Sequence, residues 1–328
     1  MKRKSINSIN EIKSSNIYRE VISTDIYPLD EILKGGIERG TFLTIVAEAA
    51  MGKTSICLNI CKNFCEKGYR VLYVDSEGKV SLNLLQNIGL EKHINNNFYY
   101  FIESTFTAVE GILDLFLDEN AIDLIIIDSI PALVHEGYTK TKKDDPNAIS
   151  IVSNNTNYNS GQLTKFISKY VSIFKKTGVS LVVVNQFRNK FDAQGTVLKD
   201  YGTKNLRYAS DCIIKIKKPD PRRINKYIKL LVEKEHAVNL EFEVVKSNKS
   251  YPGRLIPFQL VYGYGISNDY AVLNALFSTG KIYENNNYYT LSNDDNEITL
   301  HGIKEVMKYV TEHDEYKSIV SEYYRSID

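Results

Sequence analysis

Between residues 23 and 262 the chain alternates β-branched apolar runs with stretches whose apolar positions recur every three to four residues. The runs predict strands near 41–46, 70–75, 97–102, 122–128 and 179–185, and the periodic stretches predict helices near 53–66, 107–118 and 161–176. Strands separated by helices cannot pair as hairpins, so this order implies a parallel sheet covered by helices on both faces. From 211 to 261 the pattern changes to successive strands at 212–217, 227–233, 240–246 and 256–261, joined by turns such as Pro219-Asp220-Pro221. That predicts an antiparallel extension of the same sheet. Residues 1–22 are polar, with Ile6, Ile9 and Ile12 at helical spacing before an extended 17–22, and read as an arm. Gly263-Tyr264-Gly265 marks a boundary, after which 267–328 reads as a small α/β tail with helices near 301–312 and 314–326. Asn-rich patches at 153–159 and 285–287 are the low-complexity pieces.

Composition narrows the class without naming a function. The 328 residues suffice for one large domain or two, and 43% hydrophobic with 25% charged residues excludes a disordered or collagen-like chain. No run approaches the ~18 apolar residues of a membrane span. The basic start Met1-Lys2-Arg3-Lys4-Ser5 lacks the apolar stretch of a secretory signal, so a cytoplasmic protein with no membrane partner is expected. With 41 Lys+Arg against 40 Asp+Glu, the net charge of +1 supplies no whole-molecule attraction for nucleic acid. Any such partner must be held by a local patch. Four cysteines make no disulfide framework, and Cys57, Cys61 and Cys65 share a helical face with Ile56, Ile60 and Phe64, which reads as a buried stripe. A zinc site lacks a fourth ligand there, and the five histidines are scattered.

The sharpest motif is Ala47-Glu48-Ala49-Ala50-Met51-Gly52-Lys53-Thr54, followed by Ser55, between a predicted strand and the Cys-striped helix. This is a P-loop in its proper context. Backbone N–H groups would wrap a β-phosphate, Lys53 would reach the β/γ oxygens, and the Thr54 hydroxyl would ligate Mg²⁺. The first glycine of the pattern is replaced by Ala47, whose Cβ disfavours positive φ, so an altered loop entry or weaker nucleotide binding is expected. Leu124-Ile125-Ile126-Ile127-Asp128 is a buried strand ending in a carboxylate, as a Walker B strand does where its Asp holds Mg²⁺. Tyr73-Val74-Asp75-Ser76-Glu77 is another strand end, with Glu77 as a candidate base for the attacking water.

In this order the pieces resemble the RecA recombinase family over nearly the whole chain. The likeness begins at Ser23–Asp30 and Gly35-Gly36-Ile37-Glu38-Arg39-Gly40, and continues through the P-loop, Val74-Asp75-Ser76-Glu77 and the Walker B strand. Val183-Val184-Asn185-Gln186 followed by Arg207-Tyr208-Ala209-Ser210 is its more specific part, and Val244–Lys249 with Gly263–Ile266 completes it. The resemblance implies a RecA-type P-loop ATPase core at 23–262, an α/β fold with a mostly parallel central sheet. It also implies a short N-terminal oligomerisation arm at 1–22 and a small C-terminal α/β domain at 263–328. By the same resemblance Glu77 is the catalytic glutamate, Gln186 senses the γ-phosphate, and Lys246 and Lys249 reach a neighbour's ATP across a filament interface. The spacing of those lysines is one residue longer than in bacterial RecA, so Asn248 competes with Lys249 for the second place. The aromatic that stacks on adenine falls near Leu84, which cannot stack.

The segment from Phe187 to Arg207 carries Arg188, Lys190, Lys199, Lys204 and Arg207 against Asp192 and Asp200, interleaved with Phe187, Phe191 and Tyr201. Cations for phosphates beside aromatics that insert between bases suit sequence-tolerant binding of single-stranded DNA. Its place after Gln186 matches the family's second DNA loop, and 134–160 matches the first. The expected function is an ATP- and Mg²⁺-dependent DNA recombinase that forms a helical filament on single-stranded DNA, pairs it with double-stranded DNA, and works with a mediator or single-strand-binding protein. Two rivals stay open: a RecA-core motor such as a helicase or branch-migration protein, and a weakly hydrolysing accessory protein. Abundant Asn, Ile, Lys and Tyr with no Trp, together with the short arm, point to a phage or mobile-element member.

Overall fold

The structure is a computed structural model that describes residues 19–119, 121–134, 155–186, 188–191, 197–200, 204–220, 236–293 and 296–326. In chain order these are β1 (Val21–Ile22), α1 (Tyr27–Leu33), β2 (Ile37–Glu38), β3 (Phe42–Ala47), α2 (Lys53–Glu66), β4 (Val71–Asp75) and α3 (Leu82–Ile88). Then come β5 (Phe98–Ile102), α4 (Phe106–Asp118), β6 (Leu124–Asp128), α5 (Asn155–Thr177), β7 (Ser180–Gln186), β8 (Arg188–Phe191), β9 (Val197–Asp200), α6 (Lys204–Ala209) and β10 (Cys212–Lys217). The chain continues with β11 (Ala237–Lys246), β12 (Leu255–Val261), β13 (Gly265–Ile266), α7 (Asn268–Ser278), β14 (Ile282–Asn285), β15 (Tyr288–Asn293), β16 (Asn296–His301), α8 (Ile303–Glu312) and α9 (Ser318–Ser326).

Nine strands form one sheet in the order β13-β12-β11-β10-β3-β7-β6-β4-β5. The six from β10 to β5 are parallel, and β11, β12 and β13 add antiparallel beside β10. This is the mixed, mostly parallel sheet that the sequence pattern predicts. Every residue of β3, β4 and β6 is buried, and alternation divides them between two cores. Leu124 and Ile126 of β6 pack into the cluster that holds Ile56 and Phe64 of α2, while Ile125 and Ile127 pack with Val109 of α4 and Phe166 of α5. Helices on both faces therefore follow directly from strands that are apolar on both sides. The Cys57/Cys61/Cys65 stripe lies inside the first core, where burial pushes all three thiols up.

Several elements differ from the sequence reading. Helix α5 starts at Asn155, earlier than expected, and the polar segment after Gln186 contains an antiparallel pair, β8 and β9, where a loop is predicted. Between 267 and 301 the reading assigns no elements, but the structure has α7 and the three-stranded sheet β14-β15-β16. The Asn-rich patch at 285–287 is the turn of that sheet: Asn286 and Asn287 both adopt positive φ, as a two-residue hairpin loop requires. Val21–Ile22, read as the end of the arm, pairs with Ile37–Glu38 of the core. The rest of the arm at 1–18, the strand at 227–233 and residues 135–154 of the first candidate DNA loop lie outside the described residues.

The tail and the core share one hydrophobic cluster, since Leu273 of α7 and Ile319 of α9 pack in the same group as Phe258 and Leu260 of β12. At the junction, Asn59 of α2 donates to the Tyr264 carbonyl at 3.1 Å and accepts from Ile266 N at 3.0 Å. Gly265 sits so close to that amide, at φ +104°, that a Cβ would collide with it.

Candidate nucleotide site

Four adjacent parallel strands end at one edge of the sheet, and each end carries a candidate residue. The P-loop leaves β3 after Ala47, Gln186 closes β7, Asp128 closes β6, and Glu77 follows the end of β4 by two residues. Ala49, Ala50, Met51, Gly52, Lys53, Thr54, Glu77, Asp128 and Gln186 line one cavity of about 430 Å³, together with Asp75, Lys79 and Tyr262. Carboxyl ends of parallel strands are where open α/β sheets bind ligands. Gln186 pairs in register with Ala47, so the residue that leads into β8 borders the P-loop itself.

The backbone corrects the expectation about Ala47. It is the last residue of β3, fully buried and extended within the sheet, so alanine costs nothing there. The left-handed positions of the loop are Ala50 at φ +58° and Gly52 at φ +74°. The strained non-glycine residue is therefore Ala50, where positive φ costs an L-residue about 1–2 kcal/mol. Gly52 also rests against the Leu260 side chain of β12, and a Cβ there would collide with it.

The residues suit a magnesium–nucleotide. Lys53 Nζ spans the loop, donating to the carbonyls of Ala47 at 3.1 Å and Glu48 at 2.5 Å, which places an ammonium where a phosphate would sit. Burial pushes Lys53 down, opposed by the charges of Asp128 and Glu77. The Thr54 hydroxyl donates to Asp128 Oδ2 at 2.6 Å, an alcohol and a carboxylate being the hard oxygen donors that Mg²⁺ prefers. Burial pushes Asp128 up, and bonds from Thr54 and Tyr73 pull it back.

Glu77 is held by two partners that the sequence does not single out. Lys79 forms an ion pair with it, and Ser129 Oγ donates to Glu77 Oε1 at 2.8 Å. The Lys79 bond, followed by the Ser129 bond, overcomes burial and holds the Glu77 carboxyl below its ordinary value. The turn carrying Glu77 is fixed by Asp75, whose carboxylate accepts from Glu77 N at 3.1 Å, Gly78 N at 2.8 Å, Val80 N at 3.0 Å and the Tyr100 hydroxyl at 2.8 Å. Leu84 packs against the core and does not line the cavity. An aromatic does stand at the cavity, Tyr262, 56% exposed. Its signal in the sequence is a tyrosine at the end of a strand, just before the Gly263 turn.

Ser55 is the third residue of α2, next to Thr54 and half-buried, and Glu48 is exposed. Lys246 and Lys249 are not brought to this cavity. Lys246 pairs with Ile213 near the start of β10, toward the other end of the sheet, and its Nζ donates to the carbonyls of Arg207 at 2.9 Å, Tyr208 at 3.1 Å and Ser210 at 2.6 Å. It caps the C-terminus of α6. Lys249 pairs with Glu38 at 2.8 Å. Of the candidate DNA residues, Lys204 and Arg207 are exposed on α6. Arg188, Lys190 and Phe191 lie on β8 and Lys199 on β9, in a register that sets Arg188 opposite Asp200.

A parallel α/β sheet with this loop at the end of β3, and with acidic residues closing two neighbouring strands, defines a P-loop fold. The model of the RecA N-terminal domain matches residues 2–267, and the chain belongs to the RecA recombinase family. DNA repair and recombination protein RadB of Methanococcus maripaludis is 32% identical over 235 residues, covering 68% of this chain and 100% of that protein. RadB of Methanosphaera stadtmanae is 29% identical over 210 residues, covering 62% of this chain and 84% of that protein. Protein RecA of Syntrophobacter fumaroxidans is 25% identical over 293 residues, covering 86% of this chain and 77% of that protein. Among the described residues no helix is long and apolar enough to cross a membrane.

Proposed function

We propose that this protein is an ATP-dependent DNA recombinase, binding ATP and Mg²⁺ in the β3 cavity and assembling on single-stranded DNA to promote homologous pairing and strand exchange. The observation that carries the reading is the position of Gln186, which lines the nucleotide cavity and leads into the basic β8–β9 segment. A residue with one side on the nucleotide and the next on DNA can make each site respond to the other.

In this reading the loop amides and Lys53 hold the phosphates, and Thr54 and Asp128 hold the metal, which when bound offsets charge on the β/γ oxygens. Glu77 orients and deprotonates the attacking water, and Ser129 keeps it pointed at the cavity. Tyr262 stacks on the base in place of Leu84. Arg188, Lys190, Lys199, Lys204 and Arg207 contact phosphates and Phe191 inserts between bases. The arm at 1–22 docks on a neighbouring subunit, and a head-to-tail interface that does not close produces a helical filament. In that filament Lys246 and Lys249 face the next subunit's nucleotide, which is consistent with their distance from their own. The extended backbone at Ala47 gives no support to a weakly hydrolysing accessory protein.

The test is strand exchange between circular single-stranded DNA and homologous linear duplex with ATP and Mg²⁺. Joint molecules from wild type and none from Lys53→Ala are expected. Duplex unwinding without homology, or ring assemblies in place of filaments in electron micrographs, would instead identify a motor.

A further inference from the structure

We propose that Tyr73 is a positioning residue for Asp128, its hydroxyl fixing which carboxylate oxygen is left for the metal; the proposal rests on the magnesium–nucleotide reading above. Tyr73 lies in the middle of β4, fully buried, in the same core cluster as Cys57 and Cys61 of α2. Its register partner on β6 is Ile126, and Asp128 stands two residues further along that strand, on the same face. The phenol therefore runs under the sheet edge to the carboxylate, and its hydroxyl donates to Asp128 Oδ2 at 2.9 Å.

Thr54 Oγ1 donates to the same oxygen, at 2.6 Å. With both bonds on Oδ2, Oδ1 is left to face a metal-bound water. The two donors differ in what they do next. Thr54 lines the cavity, and its hydroxyl would serve two partners there, a lone pair for a cation and its proton for Asp128. Tyr73 does not line the cavity and is sealed among apolar side chains, so its hydroxyl keeps Asp128 whether or not a cation is present. A buried hydroxyl is costly without a partner, and phenylalanine would fill the same core space. The oxygen atom of Tyr73 thus has its reason in Asp128.

A second constraint makes that anchor necessary. Asp75 is the direct register partner of Asp128, so two carboxylates end adjacent strands side by side. Asp75 is turned to the Glu77 loop by its own donors, including Tyr100. The Tyr73 and Tyr100 rings stack at 6.1 Å, and each hydroxyl takes one of the two carboxylates. Partners that orient a metal-holding group change metal affinity by about 10–100-fold when removed.

The experiment measures binding, not turnover. A fluorescent, non-hydrolysable ATP analogue is titrated onto the full chain at increasing Mg²⁺, for wild type, Tyr73→Phe, Asp128→Ala and the double variant. Tyr170→Phe is the control, because its buried hydroxyl donates to a carboxylate, Asp114, between α5 and α4, far from the cavity, at 2.7 Å. Tyr73→Phe should raise the half-saturating Mg²⁺ about tenfold, Tyr170→Phe should leave it unchanged, and Tyr73→Phe should add nothing in the Asp128→Ala background. Thermal unfolding confirms that each variant is folded, and Tyr73→Met replaces Tyr73→Phe if the latter is not. A half-saturating Mg²⁺ within twofold of wild type in a folded Tyr73 variant overturns the proposal. Wild-type binding that is absent or indifferent to Mg²⁺ overturns the nucleotide reading, and this inference with it.

Discussion

The two ends of the parallel sheet are built on opposite plans. At the carboxyl ends of β3, β7, β6 and β4, the buried Asp75 and Asp128 and the half-buried Glu77 are held by short hydrogen bonds and gathered on one cavity. Near the amino ends of β3 and β10, a broader concavity of about 1000 Å³ is lined by Lys175, Lys176 and Lys246 between α5, α6 and the end of β11. One end has the machinery for phosphate chemistry and the other has lysines without it. A single copy cannot bring them together, whereas copies stacked head to tail, as proposed, would face one end with the other. In the proposed assembly the nucleotide end would be completed by lysines from a neighbour, so hydrolysis there would be shared between two chains while nucleotide binding would rest on one.

The first way to break this comparison is at the chemical end. Glu77→Gln is expected to lower phosphate release about 10²–10⁴-fold while nucleotide binding persists, the range for loss of a general base. Lys53→Ala should lower turnover about 10²–10³-fold. At the opposite end, Lys246→Met should leave nucleotide affinity of the dilute protein intact and lower DNA-stimulated hydrolysis about tenfold, through one lost charge contact. Mixing Lys246→Met with Lys53→Ala then sharpens the point, because an intact P-loop meets an intact Lys246 at every mixed junction where the Lys246→Met subunit supplies the P-loop. Recovered turnover in the mixture is expected; none would place both residues in the same chain's site.

Smaller effects probe the chemical end alone. Lys79 holds the Glu77 carboxyl down, so Lys79→Ala lets its pKa rise. Glu77 must be ionised to act as base, and its charge is lost as pH falls through its pKa. The acid limb of the rate profile therefore moves to higher pH in Lys79→Ala. Smallest is Ala50→Gly, which relieves the left-handed alanine against the greater freedom of glycine unfolded; denaturant titration should show a stability change of about 1 kcal/mol or less.

Much of this was legible in the sequence, because buried parallel strands read as unbroken apolar runs and their chemistry falls at the run ends. Lys53, Asp128 and Glu77 could be placed from position alone. Tyr73 and Ser129 could not, since their roles depend on which strands lie side by side, and β4 pairs with β6 across a long interval of chain; Lys79 escaped because a lysine two residues after an acid is an ordinary loop neighbour. Helix α7 escaped for another reason. Tyr270 to Leu276 is buried all round, so no polar face marks its period. The sheet at 282–301 has short strands and is rich in Asn and Asp, a weak strand signal beside its Asn286-Asn287 turn. Ala47 misled because a motif letter says nothing of dihedral angle.

The contact between Gly52 and Leu260 sets a limit on how the molecule can be cut or rebuilt. A fragment ending after β10 would keep the whole P-loop motif and lose the side chain that backs it, together with Tyr262. The shortest piece that retains the whole pocket lining must run past β12 to Tyr262. Any loop transplanted from another ATPase must likewise keep its last glycine at position 52, or bring its own substitute for leucine on the neighbouring strand.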